Sequence, residues 1–178
     1  MAKKFKPRLD SVGRKRLYKL ADLLEADAAN KKGLKFDMDS WGVIKSNTAD
    51  VADPVSCKTQ ACAMGLAALS GAFKRAGLEA ELEPEFNWEG KPTGRVNVEF
   101  QMNGKSINGV EAASRLFNMP WSDAAALFTE WPQSCAKGAK GEKEMAKRLR
   151  AFADGKDVKI TNNFTLEAGV ESVEDASW

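Results

Sequence analysis

Between residues 10 and 28 apolar side chains return at helical spacing, at Leu17, Leu20, Leu24 and Ala28 with Ala21 beside them. The pattern predicts a first helix with Asp10 or Ser11 as its N-cap. Asn30-Lys31-Lys32-Gly33 closes it, and from about Leu34 to Val55 no period holds. A connection that long is functional or disordered, and Phe36, Met38 and Trp41 imply that its first part is packed down. The run from Ser56 to Leu69 is then almost wholly small and apolar, and predicts a buried central helix over about Cys57 to Ala76, stopped by Gly77. Cys62, Leu66, Leu69 and Phe73 form one stripe of it and Ala61, Gly65, Ala68 and Ala72 a second, so burial extends nearly all round.

After Gly77 the period changes to two. Leu78, Ala80, Leu82 and Phe86 alternate with glutamates, and Val96, Val98, Phe100 and Met102 alternate with Arg95, Asn97, Glu99 and Gln101. These are two strands, each with one face to the core and one to water, joined by the loop from Asn87 to Gly94. Lys105-Ser106-Ile107 suits a short third strand. Two short helices follow, Val110 to about Asn118 and, capped by Ser122, Asp123 to about Glu130. They mimic a helix-turn-helix, but the second has no arginine, lysine, asparagine or glutamine in its middle to read base edges. A last helix runs from about Glu142 to Ala153, apolar at Met145, Leu149 and Phe152 and basic at Lys143, Lys147, Arg148 and Arg150. The expected architecture is α+β and mainly helical: a buried central helix with a β-hairpin of two or three antiparallel strands packed against the helices.

Composition narrows the reading further. The 178 residues are 43% hydrophobic, enough for a single globular domain over residues 1–160 without staples. Residues 161–178 read as an acidic, flexible tail. No apolar run reaches the length of a membrane span, and no apolar signal core follows the first basic residues. Three cysteines without framework spacing suit a reducing compartment. A cytoplasmic protein that does not engage a membrane is expected. The net charge of +2 is unevenly spread: Lys3, Lys4, Lys6, Arg8, Arg14, Lys15, Arg16 and Lys19 crowd the beginning as a basic arm, which makes nucleic acid a candidate partner.

The chain contains no histidine. Ser-His-Asp triads, Cys-His dyads and every His-ligated zinc site are thereby excluded within it. Candidate catalytic groups reduce to Cys57 and to the carboxylates Asp37 and Asp39. Cys57 has three readings. At a helix N-terminus beside Lys58 its thiolate is favoured, which suits a nucleophile. Together with Cys62 and Cys135 it could hold a metal, but a helix sets Cys57 and Cys62 about 140° apart. Or the thiols are small packing residues like the alanines around them. The missing histidine and the adjoining small-residue stripes favour packing. Asp37 and Asp39 lack the other positions of a calcium-binding loop, so no metal and no cofactor is expected.

The segments Phe36-Asp37-Met38-Asp39-Ser40-Trp41-Gly42, Cys57-Lys58-Thr59-Gln60-Ala61-Cys62-Ala63-Met64-Gly65 and Leu127-Phe128-Thr129-Glu130-Trp131-Pro132 together resemble a pattern in small uncharacterised proteins of phages and bacterial genomes. Those carry an F-D-M-x-x-W segment, a C-G-T-x-A-C-x-x-G helix start and paired helices ending in L-F. Lys58 stands where the pattern has glycine, and residues between Gly77 and Gly104 look like an insertion. The resemblance implies a phage-like origin and no particular reaction. The functional expectation is a non-catalytic binding protein, an accessory or counter-defence factor that engages a host protein or an anionic small ligand such as a nucleotide. Trp41, Trp88, Arg14, Arg16 and Lys58 are its candidate contact residues. A cysteine- or carboxylate-dependent enzyme and a nucleic-acid-binding protein are the alternatives.

Overall fold

A computed structural model describes residues 9–48, 50–56, 58–129 and 136–156. Helix α1 (Ser11–Ala29) opens on Asp10, whose carboxylate accepts from the Gly13 amide at 2.6 Å. This bond satisfies one of the orphan donors of the first turn. Three short strands follow, β1 (Lys35–Phe36), β2 (Gly42–Lys45) and β3 (Thr59–Ala61), and then helix α2 (Ala63–Leu69). A 3-10 turn at Lys74–Ala76 ends on Gly77, which takes the left-handed conformation that glycine tolerates. The long strands β4 (Leu78–Phe86) and β5 (Pro92–Met102) come next, followed by β6 (Lys105–Ile107) and helices α3 (Gly109–Phe117), α4 (Trp121–Phe128) and α5 (Gly138–Ala153).

The protein is α+β, with one six-stranded mixed sheet among the described residues in the order β1-β3-β2-β5-β4, and β6 paired to β5. β1 runs parallel to β3, and the other pairings are antiparallel. Two expectations are corrected. The sheet has six strands, where two or three were expected. The predicted helix over Cys57–Ala76 is replaced by strand β3, the seven-residue α2 and the 3-10 turn. β1 and β2 present open edges on either side of Thr59–Ala61, and ladder bonds to both outweigh the helical preference of this small-residue stretch. Cys62 is still extended (φ −81°, ψ −177°) and acts as the N-cap of α2, while Gly71 at φ +66° ends the helical run.

The helices cover one face of the sheet. α2 lies against β4, α3 against β5 and α5 against β1, while α1 packs chiefly on α5, α2 and α3. Leu17, Leu20 and Leu24 of α1 meet Met145 and Leu149 of α5, Leu116 and Phe117 of α3, and Leu66 of α2 in one buried cluster. A smaller cluster of Ile44, Val96 and Val98 lies under β2 and β5. Residues facing the helices along each strand are mostly apolar, with the buried Thr59 an exception, and those facing away are mostly polar, with Val43 an exception. On the uncovered face Lys35, Gln60, Val43 and Asn97 follow one another in a single cross-strand row. The basic arm at residues 1–8 and the acidic tail at 161–178 lie outside the described residues.

Candidate functional site, a basic concavity on the open sheet face

The open face is hollowed at the β1, β3, β2, β5 end. A concavity of about 570 Å³ is bounded there by Lys35, Lys45, Lys58 and Arg95, with Asp39 and Gln60 among its other residues. The volume falls within the roughly 300–1,000 Å³ of small-molecule sites. Strand register produces the charge. Lys45 of β2 stands directly opposite Arg95 of β5, and the Lys45 amide donates to the Lys58 carbonyl at 3.1 Å, so three cations line up across three neighbouring chain segments. Like charges directly opposite in a sheet are destabilising. Arg95 is shared with Glu85 at 3.4 Å, whereas Lys35, Lys45 and Lys58 have no acidic partner among the described residues. One carboxylate, Asp39, stands among four cations, which leaves the concavity strongly positive.

Its wall is the turn between β1 and β2, and that turn is locked from beneath. Asp37 is 7% exposed and accepts from Gln60 Nε2 at 2.9 Å, from Lys137 Nζ at 2.6 Å and from the Asp39 amide at 3.1 Å. Lys137, which precedes α5, also reaches Asp39 at 3.1 Å. Burial works to raise the Asp37 carboxyl, but the bonds from Lys137 and the Asp39 amide outweigh it and hold the group below its ordinary value. Bonding to Asp37 in turn raises Lys137. The pair is thus a fixed carboxylate and ammonium, with no free base among them. Among the described residues no group of three or more acidic or thiol side chains is placed to hold a metal ion.

The other sequence candidates separate from this site. Lys58 is in it. Trp41 is taken up by packing: its ring meets Phe100 edge-on at 5.6 Å and covers Gly109, where an added Cβ would lie 2.7 Å from the indole. Arg14 donates through Nε to the Ala153 carbonyl at 2.7 Å, and Arg16 to the Leu116 carbonyl at 2.6 Å. Both arginines therefore cap the negative ends of helices α5 and α3. That accounts for Arg14 and Arg16 in the first half of α1, where a helix macrodipole disfavours cations. Trp88, 92% exposed, stands at the tip of the β4–β5 loop and does not line the concavity. Cys57 lies outside the described residues. Cys62 is buried, and burial pushes its thiol up to about 11, which suits the packing role.

Lys35, Lys45 and Arg95 were missed as site residues, because each is unremarkable alone and only the pairing of four strands collects them. The alternation that pointed Arg95 away from the core was the one available signal. No family model, curated protein or solved structure matches the chain. Among the described residues no helix is long and apolar enough to cross a membrane.

Proposed function

We propose that this chain is a non-catalytic binding protein for a phosphate-bearing small ligand, a nucleotide, held in the concavity of Lys35, Lys45, Lys58 and Arg95. The observation that carries the reading is the row Lys58, Lys45, Arg95, three neighbouring cations whose mutual repulsion an anion would relieve. Asp39 and Gln60 at the same site supply acceptors and donors for the hydroxyl or amino groups of a nucleoside. A carboxylate enzyme is less well supported, since Asp37 is buried and bonded on both oxygens. On the resemblance to small phage proteins, we take the biological role to be that of a cytoplasmic accessory or counter-defence factor that sequesters such a ligand.

Calorimetric titration with ADP and with inorganic pyrophosphate at low salt tests the reading. Both should bind, and affinity should fall as salt is added. Lys45→Glu and Lys58→Glu together should weaken binding by at least about tenfold, equivalent to roughly 1.4 kcal/mol. Silence with both probes at low salt, or equal binding by the double variant, would defeat it.

A further inference from the structure

β4 is the last strand of the sheet. Its only strand partner among the described residues is β5, so its far side presents main-chain donors and acceptors outside any ladder. Beside that edge lies a groove of about 200 Å³ whose lining includes Pro54, Ala68, Leu69, Leu78, Ala80 and Leu82. On the opposite face of the same strand Glu79, Glu81 and Glu83 stand exposed at alternate positions, Glu79 paired with Lys74 at 3.4 Å and Glu81 accepting from Gln101 Nε2. Glu81 faces Glu99 across the ladder, a like-charge pair that costs stability on its own. Pro84 has no N–H to offer and ends the usable edge, and the Leu78 amide already donates to the Phe73 carbonyl at 3.3 Å, which leaves the Leu78 carbonyl and the stretch from Glu79 to Glu83 open among the described residues.

We propose that this edge takes an extended cationic segment of a partner protein as an additional strand. The segment's lysine or arginine side chains would lie beside Glu79, Glu81 and Glu83, and the aliphatic side chains between them would enter the groove. Period-two side-chain alternation delivers both contacts at once, because neighbouring strands lie about 4.8 Å apart and successive residues point to opposite faces. Charges and a proline also guard edges against aggregation. A guard has no need of an apolar groove beneath it, and this edge has one. A second copy of the same strand is disfavoured, since it would set glutamates against glutamates. The partner is therefore selected by opposite charge at alternate positions.

The test uses the full chain and a short acetylated, amidated peptide in which Lys and Val alternate, with a peptide of equal composition in Lys and Val blocks as control. Fluorescence anisotropy should show the alternating peptide binding about tenfold more tightly, because three cross-strand charge pairs and the apolar side chains are in register only there. Amide hydrogen exchange at residues 78–83 should slow on binding. In the variant Glu79→Lys/Glu81→Lys/Glu83→Lys the preference should pass to an alternating Glu and Val peptide. Reversing Lys45 and Lys58 in the concavity should leave the Lys and Val affinity unchanged, which separates this site from the nucleotide reading. Equal affinity for the two Lys peptides, or binding without protection at 78–83, overturns the proposal. Self-association that protects 78–83 without any peptide overturns it too, since the occupant is then a second copy.

Discussion

At the scale of single residues the sharpest feature is a buried acid pair. Asp27 near the end of α1 and Glu142 in α5 share a hydrogen bond, and Glu142, 1% exposed, has no partner for its Oε1 among the described residues. Burial raises the Asp27 carboxyl too, but the bond from Glu142 and the Leu34 amide at 3.1 Å work against that rise and favour Asp27 as the ionised member. Burial, and then the Asp27 carboxylate, pushes the Glu142 carboxyl up to about 8, so at neutral pH it is the proton donor of the pair. The sign of the linkage follows from the direction of the shift. The folded state binds this proton more tightly than the unfolded chain, so the stabilisation is complete below about 4.5 and is lost as pH rises toward 8. The slope cannot exceed roughly 1.4 kcal/mol per pH unit for one proton. Glu142→Gln keeps the shape and a permanent donor to Asp27. Urea unfolding should therefore show the variant matching the parent near pH 5 and exceeding it by about 2 kcal/mol or more at pH 8. A parent-minus-variant difference that does not change between these pH values would show that the pair shares no proton.

At the scale of elements, α2 shows what the sequence pattern conveys and what it hides. α1, β4 and β5 are long enough for a period to register, and their boundaries follow from Leu17, Leu20 and Leu24 or from Val96, Val98 and Phe100. β1, β2 and β3 span two to four residues each, too few to display alternation, and their existence depends on one another through long-range pairing. The β-branched pair Val43-Ile44 and the turn dipeptide Ser70-Gly71 were the local signals that β2 existed and that α2 stopped early. Gly65 was legible as a close-approach glycine, and its neighbour is the Trp41 carbonyl, only 1.9 Å from where a Cβ would sit. Alanine there gains about 1 kcal/mol of helix propensity. It also overpacks against rigid backbone, which costs about 3 kcal/mol. The second effect wins, so Gly65→Ala should lower the melting temperature by roughly 4–8 °C. An unchanged or higher value in a thermal scan would show that the turn carrying Trp41 yields freely.

At the scale of the whole molecule the site and the helical layer are joined through one side chain, Lys137. It enters from the start of α5, on the far side of the sheet's first strand, and closes on both Asp37 and Asp39. Lys58 could be singled out from the chain alone, but this bridge spans 100 residues of sequence and no local pattern announces it. Its consequence for the concavity is electrostatic. Lys137, shared with Asp37, offsets part of the charge of Asp39, the one carboxylate lining a site whose other charged residues are cations. On the proposed reading, Lys137→Met would leave that charge uncompensated beside an anion held in the concavity, so pyrophosphate affinity should fall severalfold at low salt. Adding Asp39→Asn removes the same charge and should restore most of the loss, whereas Asp39→Asn alone should leave affinity equal or higher. A purely structural role for Lys137 gives a different pattern, in which affinity stays low in the double variant because the wall remains displaced. The double-mutant cycle measured by calorimetry therefore separates charge compensation from support, with rescue expected and additive losses counting against it.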